Sequence, residues 1–310
     1  MPKSISSIRP SLTLKGLLTL GLLAAFAPSF ATTTTTTISA GTVVTQTSNY
    51  WMGASGNTDT LNVTGAGAVF NASGRTINVG SGGTAILNIS NGGVVIDATG
   101  NVGKEIGGSG TVTVTDLGSR WSNILLNIGG GDSSRVGTLN IKSSGKVVAT
   151  GDVAVKNGGT VNLNGGSLEA TGNNGAPFGD VRFETGSVLS MKVFGTTPLE
   201  QYGRLTTLGS MNFNGMLNLS FESGFTPLSG SSFSLFDFKG FSGSFGTAQD
   251  SYSHITVAGF ERSKLDFSHL ATDGTLRVAV TAVPEPQTYA MLLAGLGLVG
   301  FVARRRSKQQ

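Results

Sequence analysis

The sequence predicts an all-β chain, organised as a parallel β-helix followed by a Phe-rich β closing segment. Three observations carry the prediction. Glycine makes up 47 of the 310 residues, about twice the usual share of roughly 7%. Charged residues are only 12%, about half the usual ~25%. Short stretches alternating apolar and polar residues recur roughly every 25 residues through the middle of the chain, as half-buried strands do. Cysteine is absent, which excludes disulfide scaffolds, thiolate metal sites and cysteine nucleophiles. With only His254 and His269, a multi-histidine metal centre is not expected. No cofactor is implied.

Residues 1–31 have the pattern of a secretory signal. Lys3, Arg9 and Lys15 form the positive region, 16–26 (GLLTLGLLAAF) is apolar, and Ser29-Phe30-Ala31 ends it as a small-x-small cleavage site, with cleavage after Ala31. The stretch is too short for a comfortable membrane span. Six threonines, Thr32 to Thr37, follow. They read as low complexity, and residues 32–58 are expected to form a Thr-rich leader and amino-terminal cap.

The repeats occupy 59–175. Thr60-Leu-Asn-Val-Thr64, Ile86-Leu-Asn-Ile-Ser90, Thr111-Val-Thr-Val-Thr115, Thr138-Leu-Asn-Ile-Lys142 and Thr160-Val-Asn-Leu-Asn164 align with one another. Leu61, Leu87, Val112, Leu139 and Val161 form one apolar column. A second column is expected at Val69, Val95, Trp121, Val147 and Leu168. A third is expected at Ile77/Val79, Ile106, Leu126/Ile128 and Val153/Val155. Glycine clusters separate the units and supply the positive φ that sharp corners need. Three short strands and their corners per ~25 residues describe one coil of a β-helix, whose coils bury their apolar faces on one another.

A turn-rich break at Asn173 to Pro177 opens the segment 176–281. Of 17 Phe, 13 lie between Phe178 and Phe267, where core packing is their expected role. Alternating strands at 211–213, 216–221, 233–236 and 275–280 either continue the solenoid or form a small sheet that closes it. A closing element is expected because an open solenoid end exposes strand edges.

Residues 282–310 form a second targeting module. Pro284-Glu285-Pro286 is extended and accessible, since two prolines suit neither a helix interior nor a central strand. The apolar run TYAMLLAGLGLVGFVA (288–303) is expected to be a short transmembrane helix, with Tyr289 at one interface and the basic stop Arg304, Arg305 and Arg306 at the cytoplasmic side. Without the two ends, the body carries 14 basic and 16 acidic groups. The basic isoelectric point therefore belongs to the targeting segments and is no sign of nucleic-acid binding.

The segment VPEPQTYAMLLAGLGLVGFVARRRS resembles the PEP-CTERM sorting signal of exported bacterial proteins. The proline motif, the Gly-rich apolar helix and the basic end stand in that order. The resemblance implies an exosortase-type processing enzyme as partner, loss of the tail, and a Gram-negative host that makes exopolysaccharide. The repeats at about 60–172 resemble those shared by autotransporter passengers and PEP-CTERM proteins, although the 22-residue step between Leu139 and Val161 departs from the regular spacing. Residues 202–280 resemble the closing segment that follows such repeats, with Asp273-Gly274 as a terminal hairpin turn.

Catalytic patterns are sparse. Asp250, Ser251, Ser253 and His254 are sequence neighbours, as are Asp266, Ser268 and His269. A triad needs groups converging from separate places, and neighbours on one strand alternate faces. No nucleophile elbow, zinc-protease helix or phosphate loop is present; Gly100 to Lys104 lacks the spacing of the last. Gly129 to Asp132 is a single, unrepeated Gly-rich turn with an acid, too little for a calcium roll. The acids of the coils, Asp97, Glu105, Asp116, Asp132, Asp152 and Glu169, do not recur in one column; Asn62, Asn88, Thr113, Asn140 and Asn162 do. That outward column is expected to be solvated and hydrogen-bonded between coils, or to bind glycans or ice. The expectation is a non-enzymatic exported protein of the cell surface or extracellular matrix, associated with exopolysaccharide, biofilm or floc. Its precursor would be tethered transiently to the inner membrane. The alternatives are a polysaccharide-active enzyme on the same scaffold and an ice-binding solenoid.

Overall fold

The computed structural model describes residues 18–19, 31–54, 56–172, 179–280 and 286–306. It forms a unit ending at Val278 and a separate carboxyl-terminal unit. The first unit is a parallel β-solenoid of about eight turns. Column one is a nine-stranded sheet. Its strands are Thr33–Ile38, Thr58–Thr64, Thr84–Ser90, Ser109–Thr115, Val136–Lys142, Gly159–Asn164, Val188–Val193, Met216–Phe221 and Ile255–Ala258. Columns two and three share the second large sheet. They are continuous through Val69–Val79 and Val94–Val102, which bend from one column into the next; the register between them shifts between Ala72 and Thr76.

The alternation seen in the sequence is the alternation of the structure. Leu61, Leu87, Val112, Leu139 and Val161 stack in register and are fully buried, and the stack continues through Leu189, Leu217 and Ile255. Each leucine or valine sits about 4.8 Å from the next, so the stack excludes water along the whole axis.

Two expected column members are displaced. Column two holds Phe70, not Val69, in register with Val95, Trp121, Val147 and Leu168. Both residues are apolar, and a one-residue slip exchanges the core face for the outer face. Column three does not contain Ile106, which lies on a corner and is 71% exposed. Its inward positions are Gly100 and Val102, in register with Leu126 and Ile128. A glycine serves in the core there because the Trp121 ring from the next coil fills the space. A Cβ on Gly100 would stand 2.5 Å from that ring.

The corners between columns three and one are tight. Gly103 has φ +62°, and an added Cβ would lie 1.9 Å from the Val136 carbonyl oxygen. Only glycine allows the backbones of successive coils to approach this closely.

The solenoid crosses both ends of the expected repeat block. The first rung is the threonine run itself, since Thr33–Ile38 pairs in parallel with Thr58–Val63. Thr36 holds the position that is Leu61 and then Leu87 in the next coils, which is why the run does not read as a repeat. Downstream, rungs at 188–193, 216–221 and 255–258 continue column one. The last turn is closed by a three-stranded antiparallel sheet of Ser232–Ser234, Thr275–Val278 and Leu265–Asp266. Phe183, Phe213, Phe221, Phe233, Phe236 and Phe245 fill this half of the core. The break at 173–178 lies outside the described residues. So does the signal segment apart from Ala31 and Leu18–Thr19, a two-residue strand paired with Val44–Thr45.

The second unit contains one helix, Pro286–Arg306, where a transmembrane helix was expected over 288–303. No helix among the described residues is long and apolar enough to cross a membrane. Its 16-residue apolar run falls short of the roughly 20 residues of a span, and Gly295, Gly297 and Gly300 interrupt it.

Candidate functional site

Two regions hold the sequence-predicted functional residues: the carboxyl-terminal tail and the outer faces of the solenoid. In the tail, Pro286 occupies the first helical position, where a fixed φ and a missing N–H cost the helix nothing. Pro284 and Glu285 lie outside the described residues. Arg304, Arg305 and Arg306 form the last residues of the helix, where cations oppose the negative end of the helix dipole. Met291, Leu292, Leu293, Leu296, Leu298, Val299 and Phe301 are each exposed by 61–74%. An apolar surface presented all round a helix is a surface for a non-aqueous or protein environment. Cβ atoms added at Gly295, Gly297 or Gly300 would meet nothing within 4 Å.

On column one, the outward polar residues are joined from coil to coil. Asn62 Nδ2 donates to Thr37 Oγ1 (3.4 Å) and Asn88 Nδ2 to Asn62 Oδ1 (2.9 Å). Asn140 Nδ2 donates to Thr113 Oγ1 (3.4 Å) and Asn162 Nδ2 to Asn140 Oδ1 (2.8 Å). Beside this ladder runs a rank in which Thr35, Thr60, Thr111, Thr138 and Thr160 are in register, with Ile86 between the second and third. A second amide ladder, which the sequence reading missed, crosses column three. Asn127 Nδ2 donates to Asn101 Oδ1 (3.0 Å), and Asn101 Nδ2 to Asn78 Oδ1 (2.8 Å). The signal was present as Asn-Val and Asn-Ile at the ends of successive strands.

The acids of the coils are largely taken up in local contacts. Glu169 pairs with Lys146 across adjacent coils at 2.8 Å, and Asp152 pairs with Arg182. Asp132 accepts from the Ser134 hydroxyl (2.6 Å) and lies 3.0 Å from Arg135. The serine hydrogen bond, with the Arg135 charge, holds its carboxyl below the usual range. Asp116 accepts from the Asn91 amide N–H (3.2 Å). Among the described residues, no three His, Asp or Glu side chains gather where they could hold a metal ion.

Asp97 is the exception in kind, because it points into the core. Its Oδ2 accepts from Trp121 Nε1 and its Oδ1 from Asn123 Nδ2, both at 2.8 Å. Burial, partly offset by these two hydrogen bonds, pushes its carboxyl up to about 7. It shares its register position with Ala72, so a carboxylate stands where the preceding coil has a methyl group. It belongs to packing between coils and opens on no surface.

The two histidine clusters do not assemble triads. His254 Nδ1 lies 2.9 Å from the Ser244 carbonyl oxygen, while Ser253 Oγ donates to Asp250 at 3.3 Å. His269 stands between Asp266 (3.8 Å) and Asp273 (3.5 Å), and Ser268 Oγ donates to Asp266 at 2.6 Å. In both clusters the serine bonds an aspartate and not the histidine. These are the bonds of turns, in which Ser and Asp side chains satisfy nearby backbone.

Residues 282–306 match the family model of the PEP-CTERM protein-sorting motif. The motif indicates an exported protein sorted by an exosortase, with a destination at the surface or outside the cell. No curated protein matches the chain. No solved structure matches it either.

Proposed function

We propose that this protein is a non-catalytic structural or adhesive component of the cell surface or extracellular matrix, associated with exopolysaccharide, biofilm or floc. The observation that carries the reading is the sorting motif at 282–306, joined to a charge-poor solenoid. In this reading the apolar tail brings the precursor to the inner membrane and presents Pro284-Glu285-Pro286 to the exosortase. The tail is then removed and the solenoid released. The uniform polar ladders and the paired acids support a scaffold over a polysaccharide-active enzyme, which would need a free acidic pair on one face.

Fractionation of the host, followed by mass-spectrometric mapping of both termini, tests this. The expected form begins near Thr32, ends near Pro284 to Pro286 and lies outside the cell. An intact Arg304–Arg306 tail in the inner membrane would overturn the sorting and matrix roles together. The threonine rank of column one favours a second reading, an ice-binding face, whose signature would be thermal hysteresis.

A further inference from the structure

The chain has two tryptophans, and they have opposite fates. Trp121 is fully buried, while Trp51 is 53% exposed. Trp51 lines a shallow cleft of about 460 Å³ together with Ala54, Ser81, Gly82, Glu105 and Ile106. These residues come from three successive corners of the solenoid: 51–54, 81–82 and 105–106. The cleft therefore runs along the axis over about two rung spacings, or ~10 Å. Its walls are held by backbone. Ser81 N–H donates to the Met52 carbonyl (3.0 Å), Ala54 bridges Gly82, and Gly108 N–H donates to the Glu105 carbonyl (2.9 Å).

Two polar atoms in this part of the solenoid are buried without a partner: Ser81 Oγ, and Asn78 Nδ2 on the strand paired with that of Trp51. Ser81 lines the cleft itself. Asn78 begins the amide ladder of column three, and the ladder runs so that each Nδ2 donates toward the preceding coil. Its own donor is thus aimed at the preceding rung, where its register partner is Trp51. Buried polar groups are normally paired, so an unpaired hydroxyl on a residue lining a cleft calls for a partner.

We infer that this cleft is a binding site for neutral sugar units of a polysaccharide. An indole face wants a flat apolar surface, and a carboxylate and a hydroxyl want donors and acceptors at its rim. A pyranose ring offers both on one rigid body, with C–H groups on its face and hydroxyls around its edge. Trp51 is the platform, Ile106 a second apolar contact, and Glu105 and Ser81 the polar contacts. One aromatic side chain in the lining is not the aromatic cage that a quaternary ammonium group selects. The choice of polymer rests on the matrix reading above; the site itself rests on these residues.

The test uses the full chain in a non-glycosidic detergent, titrated separately with cellohexaose, mannohexaose and maltohexaose, and with choline chloride. Acrylamide quenching of the exposed tryptophan reports occupancy. One hexasaccharide is expected to protect Trp51. Trp51→Ala should weaken its binding at least tenfold by calorimetry, and Glu105→Gln about threefold, with the Trp121 emission unchanged as a check on the fold. Undiminished binding by Trp51→Ala, protection by choline alone, or no binding of any hexasaccharide to the wild-type chain would each overturn the site. None of these would touch the export reading, which stands or falls on the mapped termini.

Discussion

The coils from Thr33 to Ala170 and those from Val181 to Ala258 share the same three columns but are filled differently. In the first set the core is mostly Leu, Val, Ile and Ala, with Phe70 and Trp121 as its large aromatics, and one coil follows another in short steps; Gly137 pairs with Gly159 only 22 residues on. In the second set Thr160 pairs with Val188, Val188 with Met216, and Leu217 with Ile255, so the coils lengthen to 28 and then 38 residues. Phenylalanine is concentrated in the core of these coils. Phe213 packs on Phe183 at 5.2 Å and on Phe245 at 4.6 Å, and Phe236 stacks on Phe245. The outer polar ladders, in contrast, are densest where the coils are short and regular. Ladder bonds need equal registers, and aromatic packing tolerates unequal ones.

This difference can be broken first from the aromatic side. Phe213→Ala should cost about 3–5 kcal/mol, the usual range for removing a buried phenylalanine. Because each coil contacts mainly its neighbours, hydrogen exchange should quicken in 181–258 and stay slow in 84–142. Uniform loss of protection along the whole chain would mean that the two halves unfold as one unit.

A comparable effect is expected in the short-coil half from Asp97. Its carboxyl titrates near 7 when folded, above the 3.8 of the free group, so the folded state holds the proton more tightly. The stability this contributes is fully present below about pH 4, falls as pH rises toward 7 and is flat beyond. The total is on the order of 4 kcal/mol. Denaturant unfolding should therefore give a more stable protein at pH 5 than at pH 8. Asp97→Asn, which cannot ionise, should flatten that slope; an unchanged slope would assign the pH dependence elsewhere.

The smallest effect concerns the ladder. Asn88→Ala removes a bond to Asn62 and should cost about 1 kcal/mol. The equivalent change at Asn218, in the long-coil half, removes the acceptor for Thr256 Oγ1 and should cost no more. A larger loss there would contradict the contrast between the halves.

Much of this was legible in the sequence. The stack headed by Leu61 was readable because every member is apolar and followed by a polar residue. Val69 and Phe70 could not be told apart, since adjacent apolar residues carry no phase. Ile106 was misplaced because the true inward position is Gly100, a residue whose lack of a side chain makes sense only once Trp121 is seen above it. The threonine run concealed a rung, as strand pairing there depends on backbone and on the next coil rather than on apolar content. In the candidate sites, the tail was legible as a linear motif. The Trp51 cleft was not, because its residues are drawn from three coils and meet only when the corners are stacked.

The closing sheet has a further consequence for how the molecule is finished. Its final strand, Thr275–Val278, seals the last turn, and the matched motif starts at residue 282. Severing the chain between 282 and 286 removes no strand and no core residue of the solenoid. On the proposed processing, the body would be complete before cleavage, and trimming would be a change of address that leaves the architecture as it was.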